Sequence, residues 1–197
     1  MVCANLEKRK DVLDFLRKQK GNVFLLQETH WPPGIGNTVR SQWGCECVVA
    51  GHVSGSKGVA IIFKNNFEYK IHNVLRDNEG QYILIDIEMM NKHLTLANMY
   101  APSSGDHPEF FDTVIREIVA MANELIVIYG DWNVALNPKI DTNHVSNVYV
   151  VRSRKKTCDF MNDYDLVDIY RTLRADTRKY SWRRFNVMQR SRFFSCI

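Results

Sequence analysis

The chain has 197 residues, 45% of them apolar, which suits one domain with a sizeable core rather than two small ones. Charged residues at 24%, with 10 Gly and 5 Pro, argue against wholesale disorder, and no apolar run approaches the roughly 20 residues needed to span a bilayer. The net charge of +4 is uneven: residues 150–197 hold 12 Lys/Arg against 5 Asp/Glu, while the rest holds 14 against 17.

In chain order, "NLEKRKDVLDFLRKQKG" spaces Leu6, Val12, Leu13, Phe15 and Leu16 as the apolar face of an amphipathic helix, with Gly21 as its C-terminal glycine. "NVFLLQE" is a short continuous apolar run and reads as a buried strand. "HWPPGIGN" reads as a loop by its Pro and Gly content. Five strand-like segments follow, "CECVVAG", "GVAIIFK", "FEYKIHNVLR", "QYILIDIEMM" and "HLTLANMYA", a succession that predicts antiparallel meanders. "DHPEFFDTVIREIVAMANE" changes to helical period, with Asp106 and Glu109 spaced as a capping box and Pro108 in the first turn. "LIVIYG" is a second buried strand, "RSRKKTCDFMNDYD" a helix and "YSWRRF" a further strand. Helices on the outside of two facing sheets give an α/β sandwich.

The five cysteines form no C-x-x-C pair, and the N-terminus lacks the apolar stretch of a signal peptide, so reduced thiols in an intracellular, soluble protein are expected. Cys45 and Cys47 are expected to share one face of a strand. The six histidines show none of the spacing of a zinc site. The C-terminal excess of basic residues, interleaved with aromatics in "TRKYSWRRFNVMQRSRFF", is what a polyanion-binding surface looks like, although a solvated positive face has the same composition.

Polar residues stop apolar strands in three places: Gln27 and Glu28 in "LLQETHW", Asn98 and Tyr100 in "LANMYAPSS", Asp131 and Asn133 in "VIYGDWN". A buried carboxylate needs a cation, a donor or water. Singly, these are strand caps and turn residues. Jointly they suit metal-assisted phosphodiester hydrolysis. Glu28 would hold Mg²⁺ through oxygen, Asp131 would orient or deprotonate the attacking water, Asn133 would bond the water or a phosphate oxygen, and Tyr100 would donate to the phosphate. If the chain stays extended through Asp131 and Asn133, both face one side and Trp132 turns into the packing.

"FLLQETHW", "GVAIIF", "NMYAPSS", "IYGDWNVALNP" and "LVDIYRTLRADTRKYSWRR", in this order, resemble the exonuclease–endonuclease–phosphatase superfamily. Within it they are similar to the apurinic/apyrimidinic-like endonuclease domain of LINE-type (non-LTR) retrotransposons, over residues 6 to 192. The resemblance implies a four-layer αββα sandwich of two mixed sheets (DNase I-like) and a Mg²⁺-dependent endonuclease, with Mn²⁺ as the substitute metal, that nicks DNA to leave a 3′-hydroxyl. It implies that Glu28 is the metal ligand, Tyr100 the phosphate-contacting tyrosine, Asp131 the residue handling the water and Asn133 its support. By the same resemblance Ser181 and Arg183 in "YSWRR" lie at the DNA backbone, and Gln27 supports Glu28. A monomer acting on DNA, in the nucleus if it serves a retroelement, and with no membrane partner, follows. The family's opening strand ends in an asparagine; Asn5 is too near the first helix for that place. Its S-R-(I/L)-D segment meets Phe194 in "SRFFSCI", and no histidine follows His144, so the usual Asp–His pair has no counterpart. The expectation is a fold incomplete at both termini and a nuclease by descent with impaired activity. The alternatives are an inactive remnant that still binds nucleic acid, or another phosphoesterase of the same fold.

Overall fold

The computed structural model describes residues 6–143, 151–184, 187–190 and 192–196, with the side chains of Leu6, 182–189 and 192–196 outside the description. Helix α1 (Leu6–Arg17) leads into strand β1 (Val23–Gln27). Helix α2 (Gly36–Trp43) follows, then β2 (Cys47–Ala50) and β3 (Val59–Phe63). β1 and β2 both pair antiparallel with β3, in a three-stranded sheet of order β1-β3-β2. The chain then changes sheet. β4 (Tyr69–Arg76), β5 (Tyr82–Met89) and β6 (Lys92–Tyr100) form the expected antiparallel meander. Helix α3 (Pro108–Ala120) crosses over to β7 (Leu125–Asp131), which lies parallel to β6. The short α4 (Pro138–Asp141), α5 (Val151–Asp163), β8 (Val167–Asp168), α6 (Ile169–Leu173), β9 (Trp182–Arg184), β10 (Val187–Gln189) and β11 (Arg192–Cys196) complete the chain. The large sheet is mixed and runs β4-β5-β6-β7-β11-β8, while β9 and β10 pair antiparallel as a separate two-stranded sheet.

Three cores account for four layers. Between the sheets, Val59, Ile61 and Phe63 of β3 meet Ile83, Ile85 and Ile87 of β5. The alternate residues of β3, Ala60 and Ile62, face outward and pack with Leu13, Leu16, Val39 and Trp43 of α1 and α2. On the far side, Leu84, Ala97, Met99 and Ile128 are covered by Phe111, Val114 and Ile118 of α3 and Phe160 of α5. Strands buried on both faces have no polar alternation, which is why "GVAIIF" and "LIVIYG" read as continuous apolar runs. The result is the DNase I-like αββα sandwich. Among the described residues no helix is long and apolar enough to cross a membrane.

Three local expectations are corrected. The loop expected over residues 30–37 gives way to α2 at Gly36, because Val39 and Trp43 bury one face of that segment and Gly44, at φ 87°, closes it with its N–H on the Arg40 carbonyl. Strand β2 starts at Cys47, so Cys45 lies in a bend and the two thiols share no strand face; burial pushes the Cys47 thiol up to about 11. The capping box on α3 is absent: His107 is its N-cap without a side-chain bond. Asp106 instead reaches across 46 residues to α5, accepting the backbone N–H of Arg152 at 3.1 Å and of Ser153 at 2.8 Å. Desolvation raises its carboxyl, but the bonds from Ser153 and Arg152 outweigh that and hold it at about 2.

Candidate functional site

The site is assembled where β1, β6 and β7 end. β6 and β7 are parallel, so their carboxyl ends lie side by side, and Tyr100 is the register partner of Asp131. Their close approach needs a glycine before Asp131: a Cβ on Gly130 would meet the Met99 carbonyl at 2.1 Å. The pairing carries on past the strands, with Ala101 N–H on the Asp131 carbonyl at 2.8 Å.

Glu28 arrives from the other sheet. After Gln27 the chain kinks, with Glu28 at φ 54° and His30 at φ 55°. The kink is pinned by Thr29 N–H on the Gly58 carbonyl (3.0 Å) and His30 N–H on the Lys57 carbonyl (2.9 Å). Gly58 admits no side chain there, since a Cβ would stand 2.4 Å from Thr29 Oγ1. This segment brings the Glu28 carboxylate to the Tyr100 hydroxyl. Burial pushes the Tyr100 phenol up to about 12, reinforced by its bond to Glu28 and by the charges of Glu28 and Asp131. Tyr100 therefore keeps its O–H throughout the neutral range, and two carboxylates from two sheets lie around it. Asp131 is 4% exposed.

Asn133 joins them by a route the sequence did not suggest. It sits at φ 50°, so the chain is left-handed there and the expected extended alternation fails. The turn sets Asn133 N–H against Asp131 Oδ1 at 3.3 Å, and Asn133 Nδ2 donates to the Ala101 carbonyl at 2.7 Å. Trp132 does turn into the packing, 2% exposed and stacked on Phe111 at 6.2 Å between ring centroids.

Gln27 donates to Asn98 Oδ1 at 2.6 Å. Asn98, fully buried in β6, donates in turn to the carbonyls of Leu26 at 3.0 Å and Ala60 at 2.9 Å. One amide of the large sheet thus binds two strands of the small one, directly behind the site. The sequence marked Asn98 only as a polar strand residue. Ser181 is exposed in the bend before β9, and Arg183 lies in β9 with its side chain outside the described ones. Phe194 is in β11 opposite Tyr129, its side chain likewise not described. Four charged residues carried no assignment from the sequence: Asp141, Asp168, Arg171 and Arg190, which form a buried ion-pair network. The one legible signal was Asp168 three residues before Arg171, an N-cap spacing at the start of α6.

Among the described residues no three His, Cys, Asp or Glu side chains gather as a metal cage. The donors at the strand ends are all oxygens. That set fits Mg²⁺, which takes one or two carboxylates and fills its remaining positions with water and phosphate oxygens.

No family model matches the sequence. Solved structures do match the fold. An AP endonuclease from Leishmania major superposes with a TM-score of 0.78 at 16% identity, covering 99% of this chain and 77% of that one. An AP endonuclease from Archaeoglobus fulgidus gives 0.74 at 18% identity, over 96% and 81% of the two chains. A 3′-5′ exonuclease from Neisseria meningitidis gives 0.69 at 16% identity, over 98% and 84%.

Proposed function

We propose that this chain is a metal-dependent phosphodiesterase acting on DNA, a nicking endonuclease of the non-LTR retrotransposon kind. The observation that carries the reading is the convergence of Glu28, Tyr100 and Asp131 from the ends of three strands in two sheets. Oxygen donors of this kind suit a substrate that is itself a phosphate ester. The fold neighbours, two AP endonucleases and an exonuclease, support the same class of chemistry.

In this reading Glu28 holds Mg²⁺, which when bound supplies Lewis acidity to the phosphoryl group. Asp131, nearly buried and fixed by the Asn133 N–H, orients the attacking water and takes its proton. Tyr100, whose proton is retained, donates to a phosphate oxygen as negative charge grows there. Asn133 sets the Asp131 rotamer and ties the turn to Ala101.

The test is nicking of supercoiled plasmid in Mg²⁺, with Mn²⁺ and chelator arms. Glu28→Ala and Asp131→Ala are each expected to lower the rate at least about 100-fold, the scale of losing a charged group from a catalytic network. Wild-type rates that survive either change overturn the reading. The basic excess of residues 150–197 favours one second reading, a DNA-binding protein that does not cut. It is the outcome indicated by tight binding without nicking. Parallel assays on RNA and inositol phosphates separate DNA from other phosphoesterase substrates.

A further inference from the structure

Beyond the Glu28–Tyr100–Asp131 cluster, two cations and two carboxylates close on one another beneath an exposed basic loop. Asp141, 1% exposed, ion-pairs with Arg171 and with Arg190 Nη1 at 3.3 Å, and its carbonyl takes the Arg190 N–H at 2.7 Å. Arg190 Nη2 also binds both oxygens of Asp168, at 2.6 and 2.7 Å. The charges balance. Such buried networks add little net stability, so what they hold in place becomes the question.

Arg171 answers it. While one nitrogen is on Asp141, its Nη1 donates to the carbonyls of Ala175 at 3.2 Å and Thr177 at 2.8 Å. One guanidinium, anchored to the body of the fold, thereby gathers the backbone of the loop after α6. Further along, Arg178 Nη2 reaches the Lys139 carbonyl at 3.3 Å. Above these anchors the side chains of Arg174, Arg178 and Lys179 are exposed. Both anchors lie in the segment that continues from Asp131 and Asn133. Lys139 is eight residues beyond Asp131, a span of at most about 28 Å. That is shorter than one turn of duplex, about 34–36 Å.

We infer that Arg171 is a positioning residue for nucleic-acid binding. Locked by Asp141, it presents the 174–179 loop as a preformed contact for the phosphodiester backbone. Preforming the loop removes the ordering cost that a mobile basic segment meets on binding. The inference rests on the reading of the Asp131 site as a phosphodiesterase of DNA.

The experiment is fluorescence anisotropy of the full chain with a duplex oligonucleotide in EDTA, across a salt series. The triple variant Arg174→Gln/Arg178→Gln/Lys179→Gln removes the exposed charges, and with Arg178 the bond to Lys139; it is expected to weaken binding and to reduce the log–log salt slope by about 1 per residue. Arg171→Gln leaves those three charges in place and is expected to weaken binding several-fold at every salt concentration with a slope close to wild type, because the released loop must be ordered on binding. Arg171→Lys is expected to behave the same way, since a point charge cannot serve Asp141 and two carbonyls at once. It retains the ion pair and carries the test if Arg171→Gln unfolds. An unchanged slope in the triple variant overturns the loop as the contact. Affinity within about twofold of wild type in both Arg171 variants overturns the positioning role. Loop-dependent binding without any nicking leaves this inference standing and removes the nuclease reading. Nicking with a KM and slope indifferent to the triple variant does the reverse.

Discussion

At the scale of single residues, Asn133 shows how far a spacing can stand from the geometry it is expected to produce. The D-x-N pattern predicted that Asp131 and Asn133 face one side of an extended strand, but the two meet through a left-handed turn at φ 50°. Asparagine is the side-chain-bearing residue that tolerates this conformation most easily, and here it also donates to Ala101. Asn133→Ala should therefore cost about 1–3 kcal/mol, combining strain and one lost bond. Asn133→Gly relieves the strain and should cost about 1 kcal/mol or less, while slowing nicking as severely as the alanine. Urea denaturation alongside a plasmid assay separates the two effects; equal stabilities would show that the backbone at 133 is unstrained. Single-sequence periodicity carries no φ angle, and this part of the site was illegible for that reason.

At the scale of elements, helices and strands were read from period and continuity, while their terminal contacts were not. The acidic residue before α3 has the right spacing for a local capping box, yet Asp106 caps α5. A contact between residues 46 apart leaves no local pattern. Asp106→Ala should destabilise the protein by about 1–2 kcal/mol, lowering Tm by about 2–8 °C. The pH dependence has a definite sign. The carboxyl titrates lower in the folded state, about 2, than its ordinary 3.8, so its contribution is complete above pH 4 and is lost as pH falls toward 2. The Tm gap between wild type and Asp106→Ala should therefore close over that interval; a constant gap would assign the effect to packing. Helix α2 was missed for a different reason: Pro and Gly dominate its approach, while the burial of Val39 and Trp43 that stabilises it belongs to the tertiary structure.

At the scale of the whole molecule, two facing sheets covered by helices were legible in apolar runs alternating with helical periods, because each strand buried on two faces advertises both neighbours, while the four-layer αββα order was what the family resemblance implied. The convergence of Glu28 with Tyr100 and Asp131 did not follow, since it depends on how two sheets stack. That stacking gives the metal reading a test independent of turnover. Mg²⁺ bound only by the folded chain should raise stability by about 1.4 kcal/mol at tenfold excess over Kd, about 3–6 °C in Tm. The rise should vanish in Glu28→Ala, and a rise that persists there places the ion elsewhere. Asn98 sets the reliability of the stacking. Its amide bonds both Leu26 and Ala60 and receives Gln27, so Asn98→Leu removes three bonds, one buried and two part-buried, and should cost about 2–3 kcal/mol. Glu28 and Asp131 straddle a seam, one carboxylate on each side, and hydrophobic contact resists separation of the sheets far better than it resists sliding. Asn98 acts as a dowel through that seam. Its loss should broaden the distribution of Glu28–Asp131 separations as well as lower the melting point, and spin labels on the two sheets would register that shear directly.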